Sequence, residues 1–210
     1  MPLTLTLRRS NDYSPFRDQL LRVVRAPGNS VFLFSGFVDA GVFGEELIGA
    51  LKESCSNGKL VLLAGMLTET NSMNWRELYA QAIAKLKEAG IDVSAYEVPR
   101  QNWHAKIALR MNDSQPVAAV IGSSNLTHPA LSTNRERWNY ECDVTMWHDT
   151  ALTSHFRSGG RARNGLEYAE LALDPEVKDQ PDIAQRLTQL YDDLKAMRRA
   201  GTIVQRADPS

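Results

Sequence analysis

Three short stretches in the second half of this sequence carry groups suited to handling a phosphate ester: His104-Ala105-Lys106, Gly122-Ser123-Ser124-Asn125 and Asn139-Tyr140-Glu141. An imidazole with one unprotonated nitrogen can attack phosphorus, and a carboxylate on its other nitrogen fixes tautomer and aim. Glu141 is the candidate for that second task. A phosphodiester also needs its anionic oxygens neutralised as charge builds on them, and an ammonium, an amide and a hydroxyl are suitable donors. Lys106, Asn125 and Ser123 supply one of each. With these donors present, the chemistry requires no metal. His104, His128 and Asp143 share no spacing with a known zinc ligand set, so neither a metal nor a cofactor is expected.

Such groups work only if the chain holds them together. Residues 103–110 alternate in polarity, which predicts a strand with the side chains of His104 and Lys106 on one face, roughly 7 Å apart at their origins. Asn112-Asp113-Ser114 reads as a turn, and Val117–Ile121 is an apolar return strand. A hairpin brings the end of its second strand beside the start of its first, so Ser123 and Asn125 are expected near His104 and Lys106. Residues 140–147 form one more strand, with Glu141 at its start. Between the turn and that strand, Arg135, Arg137 and Trp138 are placed to grip a phosphate backbone and stack on a base, as is Ser124 to touch substrate. An ordinary solvated loop with a core-seeking tryptophan is the competing reading.

The first half supplies the frame. Leu3, Leu5 and Leu7 alternate with threonines in a half-exposed strand. Ser14-Pro15 offers a helix cap and a first-turn proline, followed by Phe16, Leu20, Val23 and Val24 at helical spacing. Buried strands are expected at residues 31–34, 59–64 and 91–98, with helices over 43–53 and 74–89 between them. This alternation predicts an α/β fold: a mixed, largely parallel β-sheet flanked by helices. Residues 159–164 read as a loop. A helix over 182–199, with Ile183, Leu187, Leu190, Leu194 and Met197 in a heptad stripe, forms a C-terminal extension. Packing on its own domain and pairing across a dimer both suit that stripe. Residues 1–158 are thus expected to be the catalytic domain and 159–210 its extension.

The ordered set His-x-Lys, Gly-Ser-x-Asn and a later glutamate resembles the phospholipase D superfamily, in its single-motif, nuclease-like branch. The full family pattern is His-x-Lys, four residues, Asp, six residues, Gly-Ser-x-Asn. This sequence has Met111 in place of the aspartate and four more residues between His104 and Gly122. In the family that aspartate is mainly structural, so the departure reads as a variant hairpin with an extended turn. The resemblance implies His104 as nucleophile through a phosphohistidine. It implies Lys106, Ser123 and Asn125 as phosphate ligands and Glu141 as the residue that orients His104. A second His-x-Lys unit must then supply the general acid. The chain holds one copy, so the resemblance also implies a homodimer with the site at its interface.

The sequence has 210 residues, 43% of them hydrophobic, with a net charge of -1. That composition suits one globular domain with a sizeable core, and it speaks against a uniformly basic surface. Cys55 and Cys142 build neither a disulfide framework nor a cysteine-rich zinc site, in keeping with a reducing, cytoplasmic setting. No apolar run reaches the length of a membrane span. The expected function is metal-independent cleavage of DNA or RNA, with a protein partner directing the enzyme to its target. A phospholipid hydrolase or transphosphatidylase, and a catalytically silent nucleic-acid-binding subunit, are the alternatives.

Overall fold

The computed structural model describes residues 3–8, 13–67, 69–70, 73–98, 103–133, 138–139, 141–157, 168–169, 188, 191–192, 195–196, 198–201 and 204–205. In chain order the elements are β1 (Leu3–Arg8), α1 (Pro15–Arg25), β2 (Ser30–Ser35), α2 (Glu45–Ser54) and β3 (Leu60–Ala64). A small hairpin follows, β4 (Glu69–Thr70) and β5 (Met73–Asn74), then α3 (Trp75–Glu88) and β6 (Val93–Glu97). The second half comprises β7 (Lys106–Asn112), β8 (Gln115–Gly122), α4 (His128–Leu131), β9 (Glu141–Trp147), α5 (Thr153–Arg157), β10 (Tyr168–Ala169) and β11 (Val204–Gln205).

Among the described residues, nine strands form one sheet in the order β10-β1-β9-β8-β7-β2-β3-β6-β11. The α/β class and the mixed sheet are as the sequence predicts. Within this sheet, however, the parallel neighbours are β2–β3 and β3–β6. The other neighbours are antiparallel. The sheet is therefore less parallel than the strand–helix alternation suggests, because β1 pairs with β9 instead of β2 and β7–β8 is a hairpin. Short strands from the C-terminal region close both edges.

The helix signals act as expected. Ser14 Oγ accepts the Arg17 N–H at 3.3 Å with Pro15 in the first turn, and Asn74 Oδ1 caps α3 through Glu77 N at 3.1 Å. Gly90 takes a positive φ of 79° just beyond α3, where a side chain would be strained.

Period-two alternation sorts each strand between two cores. Val31 and Leu33, Leu60 and Leu62, Ala108, Val120 and Trp147 join the helices in one cluster. Phe32 and Phe34, Val61 and Leu63, Ile107, Leu109, Met111 and Ala119 form the other, on the opposite face.

β1 departs from its expected polarity. Thr4, Thr6 and Arg8 are its buried face. Burial is possible because these polar groups are satisfied: Arg8 Nη1 donates to Pro129 O and Ala130 O at 2.6 and 2.7 Å, and Nη2 to Ser132 O at 2.6 Å. Thr6 Oγ1 donates to Asp143 O at 3.2 Å.

Residues 159–164 and the stripe positions Ile183, Leu187, Leu190, Leu194 and Met197 lie outside the described residues. Residues 188, 191, 195 and 198 are helical, and Tyr191 meets the ring of Phe32 edge-on at 5.5 Å. Among the described residues, no helix is long and apolar enough to cross a membrane.

Candidate active site

Four strands end on the same face in a polar layer. The helix-side rows run Val31-Leu33-Ser35 on β2, Arg110-Ala108-Lys106 on β7, Val120-Gly122 on β8 and Trp147-Thr145-Asp143-Glu141 on β9. The ladders place Lys106 opposite Gly122, and Gly122 opposite Asp143. Val31, Leu33, Ala108, Val120 and Trp147 of these rows belong to the helix-side core, and each row turns polar or glycine where the sheet opens, so this polar layer sits on a hydrophobic base.

The turn after Gly122 lies beside Lys106 at the end of the hairpin, and Glu141 of the neighbouring strand reaches it. Ser123 Oγ donates to Glu141 Oε2 and accepts the Cys142 N–H at 3.0 Å. Asn125 Oδ1 accepts from Phe37 N at 3.3 Å and lies 3.1 Å from Ser35 Oγ, whose single proton it shares with Phe37 O at 2.7 Å. A backbone N–H can only donate, so Phe37 fixes which end of the amide is oxygen, and Nδ2 makes no hydrogen bond among the described residues. Burial lowers the Lys106 ammonium from its ordinary value, and the negative charge of Glu141 opposes that shift.

His104 differs from its expected place. β7 begins at Lys106, so His104 precedes the strand and is exposed. The β7–β8 ladder stops at the Lys106–Gly122 pair, while Ser123 N still bonds to Cys142 O of β9 at 3.1 Å, so β8 leaves β7 before it reaches His104. Trp103 holds the segment in place. Its ring meets Phe34 at 6.3 Å, and its Cβ occupies the space beside Gly65, where an added methyl would lie 1.9 Å away. The Lys106 ammonium donates to His104 O. Among the described residues the His104 ring makes no hydrogen bond, and Glu141 has Ser123 as its hydroxyl partner.

The hairpin also corrects the extended-turn reading. The turn is only Asp113-Ser114, with Asp113 at a φ of 52° braced by Asn29, which donates to Asp113 Oδ1 at 2.8 Å and accepts from Asp113 N at 3.1 Å. The extra residues lengthen the strands, with a bulge between Arg110 and Met111. Met111 is fully buried in the second core. Beside it, Arg110 is a buried cation that donates to Ala26 O at 2.9 Å, Ser54 O at 3.0 Å and Gly28 O.

Ser124, expected to touch substrate, points inward. It is fully buried, its Oγ donates to Asp143 Oδ2 at 2.6 Å, and its N–H meets Asp143 Oδ1 at 3.2 Å. Trp138 is half-buried, with the Arg8 guanidinium 5.7 Å from its ring centre. Arg135 and Arg137 lie outside the described residues. The sequence reading did not single out Asp143 as a site residue, nor Ser35. The period-two rows that contain Lys106 and Glu141 carry the signal for both. Of the other histidines, His128 opens α4, His148 Nδ1 lies 3.3 Å from Val117 O, and His155 Nε2 lies 2.8 Å from Arg22 O. No metal-binding group of three or more His, Cys, Asp or Glu occurs among the described residues.

Residues 19–154 match the family described as the NgoFVII restriction endonuclease N-terminal PLD domain. Similar solved structures include Nuc, a phospholipase D family member from Salmonella typhimurium, at 18% identity and a TM-score of 0.42, covering 81% of this chain and 99% of that one. NucT from Helicobacter pylori is similar at 12% identity and a TM-score of 0.40, covering 68% and 84%. Polyphosphate kinase from Porphyromonas gingivalis is similar at 16% identity and a TM-score of 0.46, covering 73% of this chain and 24% of that one. A comparison with curated proteins gives no match.

Proposed function

The chain belongs to the NgoFVII restriction endonuclease N-terminal PLD domain family, a phospholipase D-type phosphodiesterase and nuclease enzyme; from that we propose that it cleaves DNA or RNA without a metal, as a homodimer, with His104 as nucleophile. The observation that carries this reading is the convergence of Lys106, Ser123, Asn125 and Glu141 at one end of three adjacent strands, with His104 exposed at its edge.

In this reading a His104 ring nitrogen attacks phosphorus. A nitrogen–phosphorus bond forms as the phosphorus–oxygen bond to the leaving group breaks. The leaving oxygen takes a proton from the same histidine of a second subunit. That imidazole, now neutral, takes a proton from water, the water oxygen attacks phosphorus, and the nitrogen–phosphorus bond breaks to release a phosphomonoester. Lys106, Ser123 and the Asn125 amide hold the charged oxygens, and Glu141, which bonds Ser123 and among the described residues no His104 nitrogen, supports Lys106 electrostatically instead of orienting His104. Residues 1–158 carry this chemistry with 159–210 as an extension, Arg135, Arg137 and Trp138 contact the nucleic acid, and a partner protein directs the enzyme in the cytoplasm.

The test is incubation of the purified protein with DNA, RNA, a generic phosphodiester and phospholipid vesicles, each in excess EDTA, beside His104→Ala. Nucleic-acid cleavage that survives EDTA and vanishes in the variant is expected. Release of a lipid headgroup, or binding without cleavage, contradicts it.

A further inference from the structure

We propose that Asp143 is a positioning residue for the phosphate-binding turn, holding Ser123 and Asn125 in place through a two-point clamp on Ser124. The inference rests on the functional reading above and adds a residue to it.

The geometry is specific. Asp143 is 2% exposed, yet both carboxylate oxygens are engaged by one residue: Oδ2 by the Ser124 hydroxyl at 2.6 Å and Oδ1 by the Ser124 N–H at 3.2 Å. Ser124 lies between the two residues assigned to phosphate, so fixing its backbone and side chain fixes the peptide planes on either side of it. Gly122 makes room for the clamp. A Cβ there would lie 2.0 Å from Asp143 Oδ1, so the carboxylate occupies the space of the missing side chain. Two residues away on the same face of β9, Glu141 holds the Ser123 hydroxyl. Two alternate carboxylates thus grip two consecutive serines. One reaches the open edge of the site and the other stays inside.

Among the described residues no cation bonds to this buried carboxylate, so it is sensitive to pH. Burial raises Asp143 to about 6, the two hydrogen bonds from Ser124 act against this, and the charge of Glu141 adds to it. Among the described residues, the charged groups facing this row are Glu141 on β9 itself, Arg8 on β1 opposite Glu141, and Lys106 on β7 beyond Gly122. Thr6 and Gly122, directly opposite Asp143, bring no charge. Only the ionised carboxylate can accept both Ser124 bonds with neither oxygen carrying a proton, so the clamp is complete above this value and weakens below it.

The test uses the full chain, wild type and His104→Ala beside Asp143→Asn, Ser124→Ala and the double variant, with a nucleic-acid substrate in EDTA from pH 5 to 8. Wild type is expected to show an acid limb near pH 6, and Asp143→Asn to remove it and to lower kcat/KM about 100-fold, the cost of a misplacement near 1 Å. The double variant falls no further than Asp143→Asn alone, because both changes break one unit. In wild type the Ser124 amide resonance titrates with Asp143, and titration with inorganic phosphate shifts the amides of Ser123 and Asn125. A wild-type rate and pH profile in Asp143→Asn, with His104→Ala inactive, overturns the positioning role alone. A Ser124 amide that does not respond between pH 5 and 7 does the same, whether or not the variants fold. Cleavage that persists in His104→Ala overturns the functional reading beneath it.

Discussion

The hydroxyl of Ser123 donates to the Glu141 carboxylate, and its oxygen also receives the backbone N–H of Cys142 at 3.0 Å. A hydroxyl held from both sides has one orientation, and a carboxylate 6% exposed has little water to replace a lost partner. Glu141→Gln removes the charge that faces Lys106 and Arg8. EDTA-resistant cleavage is expected to fall by about 100-fold or more, the scale of a lost electrostatic contact in an active site. Ser123→Ala is expected to cost less, since Glu141 keeps its charge. Steady-state kinetics on both variants decide the order.

Asn125 separates folding from binding. Its Oδ1 anchors Ser35 and Phe37, while Nδ2 is the donor assigned to phosphate. Asn125→Asp keeps an oxygen for both anchors and replaces the donor with negative charge. The variant is expected to unfold near the wild-type midpoint and to lose phosphate binding and cleavage. Asn125→Ala strands the Phe37 N–H and is expected to cost about 1–3 kcal/mol in denaturant unfolding.

Asp143 gives the protein a measurable stability slope. Its native value of about 6 exceeds the ordinary 3.8, so the native state binds that proton more tightly than the unfolded chain. The group's contribution to stability is complete below its unfolded value and is lost as pH rises through its native one. The difference is on the order of 3 kcal/mol. Urea unfolding at about pH 4 and pH 6.5 is expected to show this decline in wild type and a flatter profile in Asp143→Asn. An unchanged slope in the variant assigns the effect elsewhere.

Much of this arrangement is legible in the sequence, for a physical reason. The β7–β8 hairpin, the helix caps at Ser14 and Asn74 and the return of the Gly122-Ser123 turn beside Lys106 all follow from local periodicity and turn chemistry. What escapes is what depends on partners distant in sequence. The polar face of β1 is buried because Arg8 finds carbonyls more than a hundred residues away. His104 lies outside the ladder because β8 leaves β7 after Gly122, and Ser124 faces inward because Asp143 lies opposite Gly122. Local alternation cannot report any of these, since each depends on which strand lies next door.

A site shared between two subunits has a simple signature in mixtures. If both copies of His104 serve one phosphate, activity follows the square of the wild-type fraction when wild type and His104→Ala are co-refolded. An equal mixture then retains about one quarter of the activity. A linear fall to about one half indicates independent sites.

The central claim is the covalent role of His104. Rapid quenching of the enzyme during cleavage, followed by mass spectrometry under alkaline conditions, is its most direct measurement. The account predicts a phosphoryl adduct carrying one substrate fragment on the peptide that contains His104, absent in His104→Ala. Turnover without such an adduct, together with undiminished cleavage by His104→Ala, contradicts it.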